Sequence, residues 1–357
     1  MVCFRKTVIM NSFFSFKYVI TTMLNMKKIV LSLILVLATG ISMAQSQFVA
    51  TLVHNGEVST YYGFNAFVDA YTAADNGDII TLSSGTFRST NISKGLTVRG
   101  AGFVDDSESQ TNSTVITGDF SIILADSLRL SFEGILFNDD VSLTNLSNSQ
   151  FLKCYFNYLS NVSGSKAINN TFYHCYIKNP SLLGENSFIS CVVKFNNSSK
   201  NCSYTFDNCI LIANSTSSSV YYSTCRNCIF IQRSGSYFSS IYPSSGGLAF
   251  NCISNKYATY DIFSAQTNNT NQVVSVPISS IFKTYDGQGI PLEERFELTD
   301  SAAAVFLGSD GTQVGIYGGP FPFSPTPSYP RITKFEVSNK TDAEGKLRMK
   351  LEVKSGN

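Results

Sequence analysis

Residues 204–212 read YTFDNCILI, residues 170–177 read NTFYHCYI and residues 149–156 read SQFLKCYF. In each, a cysteine stands three residues after a phenylalanine and is followed by apolar residues. Extending the alignment gives seven such segments: FEGILF, FLKCYF, FYHCYI, FISCVV, FDNCIL, CRNCIF and AFNCIS. Their fourth residues are Ile135, Cys154, Cys175, Cys191, Cys209, Cys228 and Cys252, spaced by 19, 21, 16, 18, 19 and 24 residues. A period of this size with variable insertions marks a solenoid in which each repeat is one turn of the chain.

Within a segment the first, fourth and sixth residues are mostly apolar, which neither a period of 2 nor one of 3.6 explains. A strand interrupted by a bend does. The first residue then points inward at the end of one strand, and the fourth and sixth point inward on the next. The third residue occupies the corner. Gly134, Lys153, His174, Ser190, Asn208, Asn227 and Asn251 hold that place. Four of these seven are Gly or Asn, the residues that best tolerate the left-handed conformation a tight corner demands. The sequence therefore predicts a strand-built solenoid of about 20 residues per coil, with a column of core cysteines aimed inward by its corners.

These rungs resemble the right-handed parallel β-helix of the pectate-lyase-like superfamily, as found in bacterial exported proteins. YYGFNAFVDAYTAADNGDIITLSSGTF (61–87) is similar to the cap helix and first strand of such proteins, ISKGLTVRGAG (92–102) to their next coil, and DSAAAVFLGSDGTQVGIYGG (300–319) to their closing coil. The resemblance extends over residues 48–320 and matches no specific enzyme family. It implies an all-β parallel β-helix with an asparagine ladder along one corner, and leaves the activity open. Carbohydrate-cleaving members of the superfamily use carboxylate clusters, or acidic Ca²⁺ ligands with a basic residue, on the outer face.

The ends of the chain read differently. Met26-Lys27-Lys28, the apolar IVLSLILVLATGI and Ser42-Met43-Ala44 form the three regions of a secretory signal peptide over 26–44, which makes residues 1–25 an upstream extension. The apolar run is shorter than the roughly 20 residues of a permanent membrane span. Export to the periplasm, cell surface or exterior is the expectation. Residues 1–44 carry five of the 26 Lys+Arg and none of the 25 Asp+Glu, leaving 21 against 25, or −4. That balance gives no electrostatic case for nucleic acid. An open β-helix end needs a cover, and Phe64, Phe67, Val68 and Tyr71 fall at helical spacing before Asn76-Gly77 to supply one. At the other end, 321–330 reads as a Pro-rich linker and 331–357 as a β-hairpin too short for a core of its own.

The chemistry-bearing residues are few. Six cysteines (Cys154, Cys175, Cys191, Cys209, Cys228 and Cys252) share one interior register, where stacked thiols or disulfides are both open. Cys225 and Cys228 form a lone CxxC with no second ligand pair nearby, so no metal is expected. The only histidines are His54 and His174, and no Ser/His/Asp set is evident. Asp105-Asp106 and Asp139-Asp140 are the adjacent aspartate pairs, whereas glycosidic cleavage needs two acids in distinct roles. An outward apolar row, Leu136, Tyr155, Tyr176, Val192, Ile210, Ile229 and Ile253, needs a cover from the chain's own loops or the C-terminal hairpin, or else serves a partner.

The expectation that follows is a non-catalytic exported β-helix that binds a polysaccharide or other surface glycan. Tyr155 and Tyr176 are candidates to stack on sugar faces, and Asp139 and Asp140 candidates to hydrogen-bond hydroxyls. No cofactor is implied. The alternatives are a polysaccharide lyase or glycoside hydrolase acting on acidic polysaccharide, and a structural rod assembled through the apolar row.

Overall fold

The computed structural model describes residues 48–105, 112–195, 202–215, 218, 220–233, 235–239, 241, 246–255, 262–263, 271–274, 277–287, 291–292, 294–337, 344–346 and 348–354. The expected export signal and upstream extension lie outside these residues. The chain is an all-β parallel solenoid. Successive coils contribute one strand to each of two long sheets, of eleven and twelve strands. Strands 131–133, 150–152, 170–173, 184–189, 202–207, 224–226 and 248–250 follow one another in the first sheet. Strands 136–144, 155–161, 176–177, 192–195, 210–213, 229–231 and 253–255 do so in the second.

Identical side chains stack because the rungs of the first sheet pair without slippage. Phe132, Phe151, Phe172, Phe188, Phe206 and Cys225 are register partners in turn. The rings of Phe151, Phe172, Phe188 and Phe206 lie 4.8–4.9 Å apart, face to face. After each of the seven inward residues the chain turns through a corner at positive φ: Gly134 at 69°, Lys153 at 51°, His174 at 53°, Ser190 at 50°, Asn208 and Asn227 at 54° and Asn251 at 52°.

The turn aims the six register cysteines into the core, where all are fully buried. Each thiol lies within hydrogen-bond distance of two carbonyls: that of the first-position residue one rung earlier, from Phe132 for Cys154 to Cys225 for Cys252, at 3.2–3.7 Å, and that of the residue two before it, at 3.1–3.4 Å. Cysteine suits this place because it is small and apolar yet carries a weak donor. None of the eight described cysteines is in a disulfide. Burial pushes the thiols of Cys175, Cys209 and Cys252 well above their ordinary value, so they remain protonated donors.

At the N-terminal end the hairpin 49–54/57–62 and the helix Ala66–Ala73 close the solenoid. Phe67 and Tyr71 of that helix are buried, and Lys94 ties down its end by donating to the carbonyls of Tyr71, Thr72 and Ala74. Phe64, placed by spacing on the same face, precedes the helix and is exposed.

The C-terminal third departs from the expected closing coil. Residues 300–305 are a short helix capped by Thr299, and the chain from 306 to 329 runs back along the corner row as a strap. Ser309 N–H donates to Asn227 Oδ1 at 3.0 Å, and Asn208 donates to the Gly315 carbonyl at 3.5 Å. Ser190 Oγ donates to the Phe321 carbonyl at 2.8 Å, and Lys153 Nζ to the Thr326 carbonyl at 2.6 Å. Glu133 accepts from Ser328 N–H, and Pro327 packs on Gly134 so closely that an added Cβ would lie 2.9 Å from it. The corner side chains therefore grip the strap, and the amides of Asn208 and Asn227 bond to it. An inward amide ladder exists elsewhere: Asn170 donates to Asn186 Oδ1 at 3.0 Å, and Ser149 N–H donates to Asn170 Oδ1 at 3.0 Å.

Residues 321–330, read as a linker, belong to the docked strap: Phe323 and Pro327 are buried. Strands 331–337 and 349–354 do form an antiparallel hairpin. Its Met349 and Val353 are 66% and 54% exposed.

Candidate functional site

The outward apolar row is a second core. Tyr176, Val192, Ile210, Ile229 and Ile253 are buried beneath Ile281, Phe282, Tyr285, Phe296, Leu298, Val314, Ile316 and Phe323. The cover is thus formed by the chain's own segments 281–287 and 294–323, one of the two intramolecular covers the sequence left open. Tyr155 and Tyr176 go with it, only 6% and 1% exposed. Tyr176 packs 5.4 Å from Phe323 and 5.3 Å from Phe103, and its hydroxyl donates to the Glu294 carbonyl. Burial pushes that phenol far above its ordinary range. Neither ring can stack on a sugar.

His174 lies under the same strap. Its Nε2 is 3.1 Å from the Phe321 carbonyl and its Nδ1 accepts from Ser324 N–H at 3.4 Å, which assigns the proton to Nε2. Burial depresses its pKa, so the ring is held neutral by the geometry and the desolvation together. His54, by contrast, sits at the cap with Nδ1 2.9 Å from Asp78 Oδ2.

The structure gathers acids at one place on the second sheet. Asp139 Oδ2 accepts from Thr117 Oγ1 at 2.9 Å and Gly118 N–H at 2.7 Å, and Asp140 N–H donates to Asp119 Oδ1 at 3.1 Å. Asp119, which the sequence reading missed, joins the pair because the 114–117 strand lies beside 136–144. The donated bonds from Gly118 and Thr117 lower the pKa of Asp139, which favours its anion. Such a carboxylate is a poor proton donor to a leaving oxygen. Asp105 accepts from Ser113 N–H at 2.7 Å, and Asp106 lies outside the described residues.

The open surface next to the covered row is a column on consecutive rungs of the second sheet: Asn138, Asn157, Lys178 and Lys194. Asn138 and Asn157 are exposed, and the two lysines half-buried. Tyr158, 37% exposed and paired with Asp140 across the rung, stands beside it. Asn179 on the next rung donates to the Asn157 carbonyl at 3.4 Å. Lys178 Nζ lies 5.3 Å above the ring of Tyr155, whose edge borders this face. A flat row of amides, one aromatic ring and two ammonium groups can hydrogen-bond hydroxyls, stack on a pyranose face and accept negative charge.

Among the described residues no group of three or more His, Cys, Asp or Glu could hold a metal, and no helix is long and apolar enough to cross a membrane. No family model matches this chain, and no curated protein or solved structure matches it.

Proposed function

We propose that the chain is an exported, non-catalytic β-helix that binds a polysaccharide or surface glycan on the open face of its second sheet. The observation that carries this reading is Tyr158, an exposed ring set between the exposed amide of Asn157 and the carboxylate of Asp140 on the neighbouring rung. Parallel rungs repeat every 4.8 Å or so. A polymer laid across them meets a fresh set of short polar side chains at each step. The resemblance to exported proteins of the pectate-lyase-like superfamily supports export and a carbohydrate ligand by analogy.

A glycan array probed with the protein should return binders, and Tyr158→Ala should weaken them by about fivefold, since one aromatic contact is worth roughly 1 kcal/mol. An array without signal above background would remove the reading. The gathering of Asp119, Asp139 and Asp140 favours a second reading, a lyase or glycoside hydrolase acting on acidic polysaccharide. That reading requires new reducing or unsaturated ends from such a polymer, abolished by Asp139→Ala or Asp140→Ala.

A further inference from the structure

The register of the second sheet sets two like charges against each other. Tyr176 pairs with Val192 and Ile177 with Val193, so the next residues, Lys178 and Lys194, stand opposite on adjacent parallel strands. That separation is about 4.8 Å between backbones, and like charges placed so destabilise a sheet. Three other described cations have carboxylate partners. Arg226 pairs with Asp207 at 3.4 Å, Lys283 with Asp300 at 3.4 Å, and Lys350 with Glu352 at 2.8 Å. Lys178 and Lys194 have no ion pair among the described residues.

Two further features hold the charges in place. Lys178 is fixed over the Tyr155 ring by a cation–π contact. Arg233, anchored through Nη1 to the Gly287 carbonyl at 3.0 Å, adds its charge to the field at Lys194. Lys194 is half-buried, and burial together with Arg233 and Lys178 disfavours its ammonium form. An anion seated between the two ammonium groups would relieve both repulsions at once.

We propose that Lys178 and Lys194 form the subsite for an oxyanion carried by the glycan, a carboxylate or a sulfate ester, and that the ligand is a chain bearing isolated acidic residues. This rests on the glycan reading of the same face. The choice of sparse charge comes from Asp119, Asp139 and Asp140. Asp139 and Asp140 lie two rungs from Lys178 and three from Lys194, with Asp119 one rung beyond them, so the nearest stand about 10 Å along the stack, within about a Debye length at moderate salt. A uniformly charged polymer lying along the column would meet those carboxylates, whereas a chain with neutral sugars between its acids can set one acid on the lysines and a neutral ring on Tyr158.

The test uses the full-length protein and one polymer in three forms: a linear polyuronate fully methyl-esterified, partly esterified and fully de-esterified. A neutral glycan bearing occasional sulfate esters, compared with its desulfated form, separates the two oxyanion sources. The partly charged form should bind about tenfold more tightly than the neutral one, a preference that salt diminishes. K178Q/K194Q should abolish the preference of the partly charged over the neutral form, and K178R/K194R should keep it. A preference that survives in K178Q/K194Q overturns the subsite. Tightest binding by the fully de-esterified polymer overturns the sparse-charge claim.

Inorganic sulfate separates this inference from the reading beneath it. It should raise the Tm of the wild type and not that of K178Q/K194Q. If no glycan binds but sulfate still acts through the two lysines, the glycan reading fails and the anion subsite stands. If neutral glycans bind while neither sulfate nor acidic residues discriminate between the proteins, the subsite fails and the glycan reading stands.

Discussion

Single residues at the corner do two things that one residue type seldom combines: they adopt positive φ and they reach outward to the strap. Asn does both, so Asn208→Val or Asn227→Val should cost about 1–3 kcal/mol, from a β-branched residue forced into the left-handed region and from the lost bonds to Gly315 or Ser309. Urea denaturation would measure it. Lys153 breaks the Asn series and so reads as a position where Asn would be neutral or better. Its bond to the Thr326 carbonyl reverses that expectation: Lys153→Asn should destabilise by about 1–2 kcal/mol, the worth of a charge-assisted hydrogen bond in a mostly buried place. His174 adds a pH dependence. Its pKa is lowered in the fold from 6.5, so the unfolded chain takes up the proton first as pH falls. The contribution of the neutral ring is therefore fully present above pH 6.5 and is lost as pH drops below it toward the folded value. Comparing stability at pH 8 and pH 5 in wild type and His174→Gln should show a smaller loss in the variant; equal losses would assign the pH dependence to other groups.

At the scale of elements, the solenoid was legible in the sequence and the strap was not, for one physical reason. Each coil repeats the same local problem, an inward Phe, a left-handed corner and an inward Cys, so its solution recurs as a visible motif. The strap solves its problem once. It pairs Ser328 with Glu133 and Ser309 with Asn227 across 195 and 82 residues, with no periodicity to betray it. Its only traces were the corner residues that depart from Asn, namely Lys153, His174 and Ser190, and the glycines and prolines of 308–330. Gly319 shows why they are there: at φ 73° it lies over Asn208, where an added Cβ would come within 2.8 Å of Oδ1. The site was legible only in part for the same reason. Tyr155 and Tyr176 were visible as outward-facing, but the cover that buries them lies about a hundred residues away in sequence. Phe323 is the strap's main apolar anchor, 5.4 Å from Tyr176 and 5.6 Å from His174. Phe323→Ala should cost about 3 kcal/mol and raise binding of a hydrophobic dye. Ending the chain after residue 330 keeps the whole strap and should leave dye binding nearly unchanged. A large rise in that truncation would mean the hairpin, rather than the strap, seals the row.

Across the whole molecule the thiol column and the strap belong to one design, in which the interior is completed by parts that no single coil contains. Six thiols each lie within hydrogen-bond reach of a carbonyl on the rung before. Each contact is weak, but together they tie rung to rung along one line, so a lost thiol is felt by its neighbours on both sides. The column also sets a hazard during folding. Neighbouring cysteines are brought to rung spacing, close enough for oxidation, yet parallel Cβ vectors fit a disulfide poorly. A bridge formed early would therefore strain the corner and trap the chain, while the finished fold hides every described sulfur from solvent. Two measurements separate these stages. In the native protein the eight described thiols should resist a titrating reagent until denaturant is added, and reductant should leave Tm unchanged. Refolding from denaturant should give a higher yield with reductant than with oxidant. A native Tm that falls on reduction would mean that disulfides, and not hydrogen-bonded thiols, join the rungs.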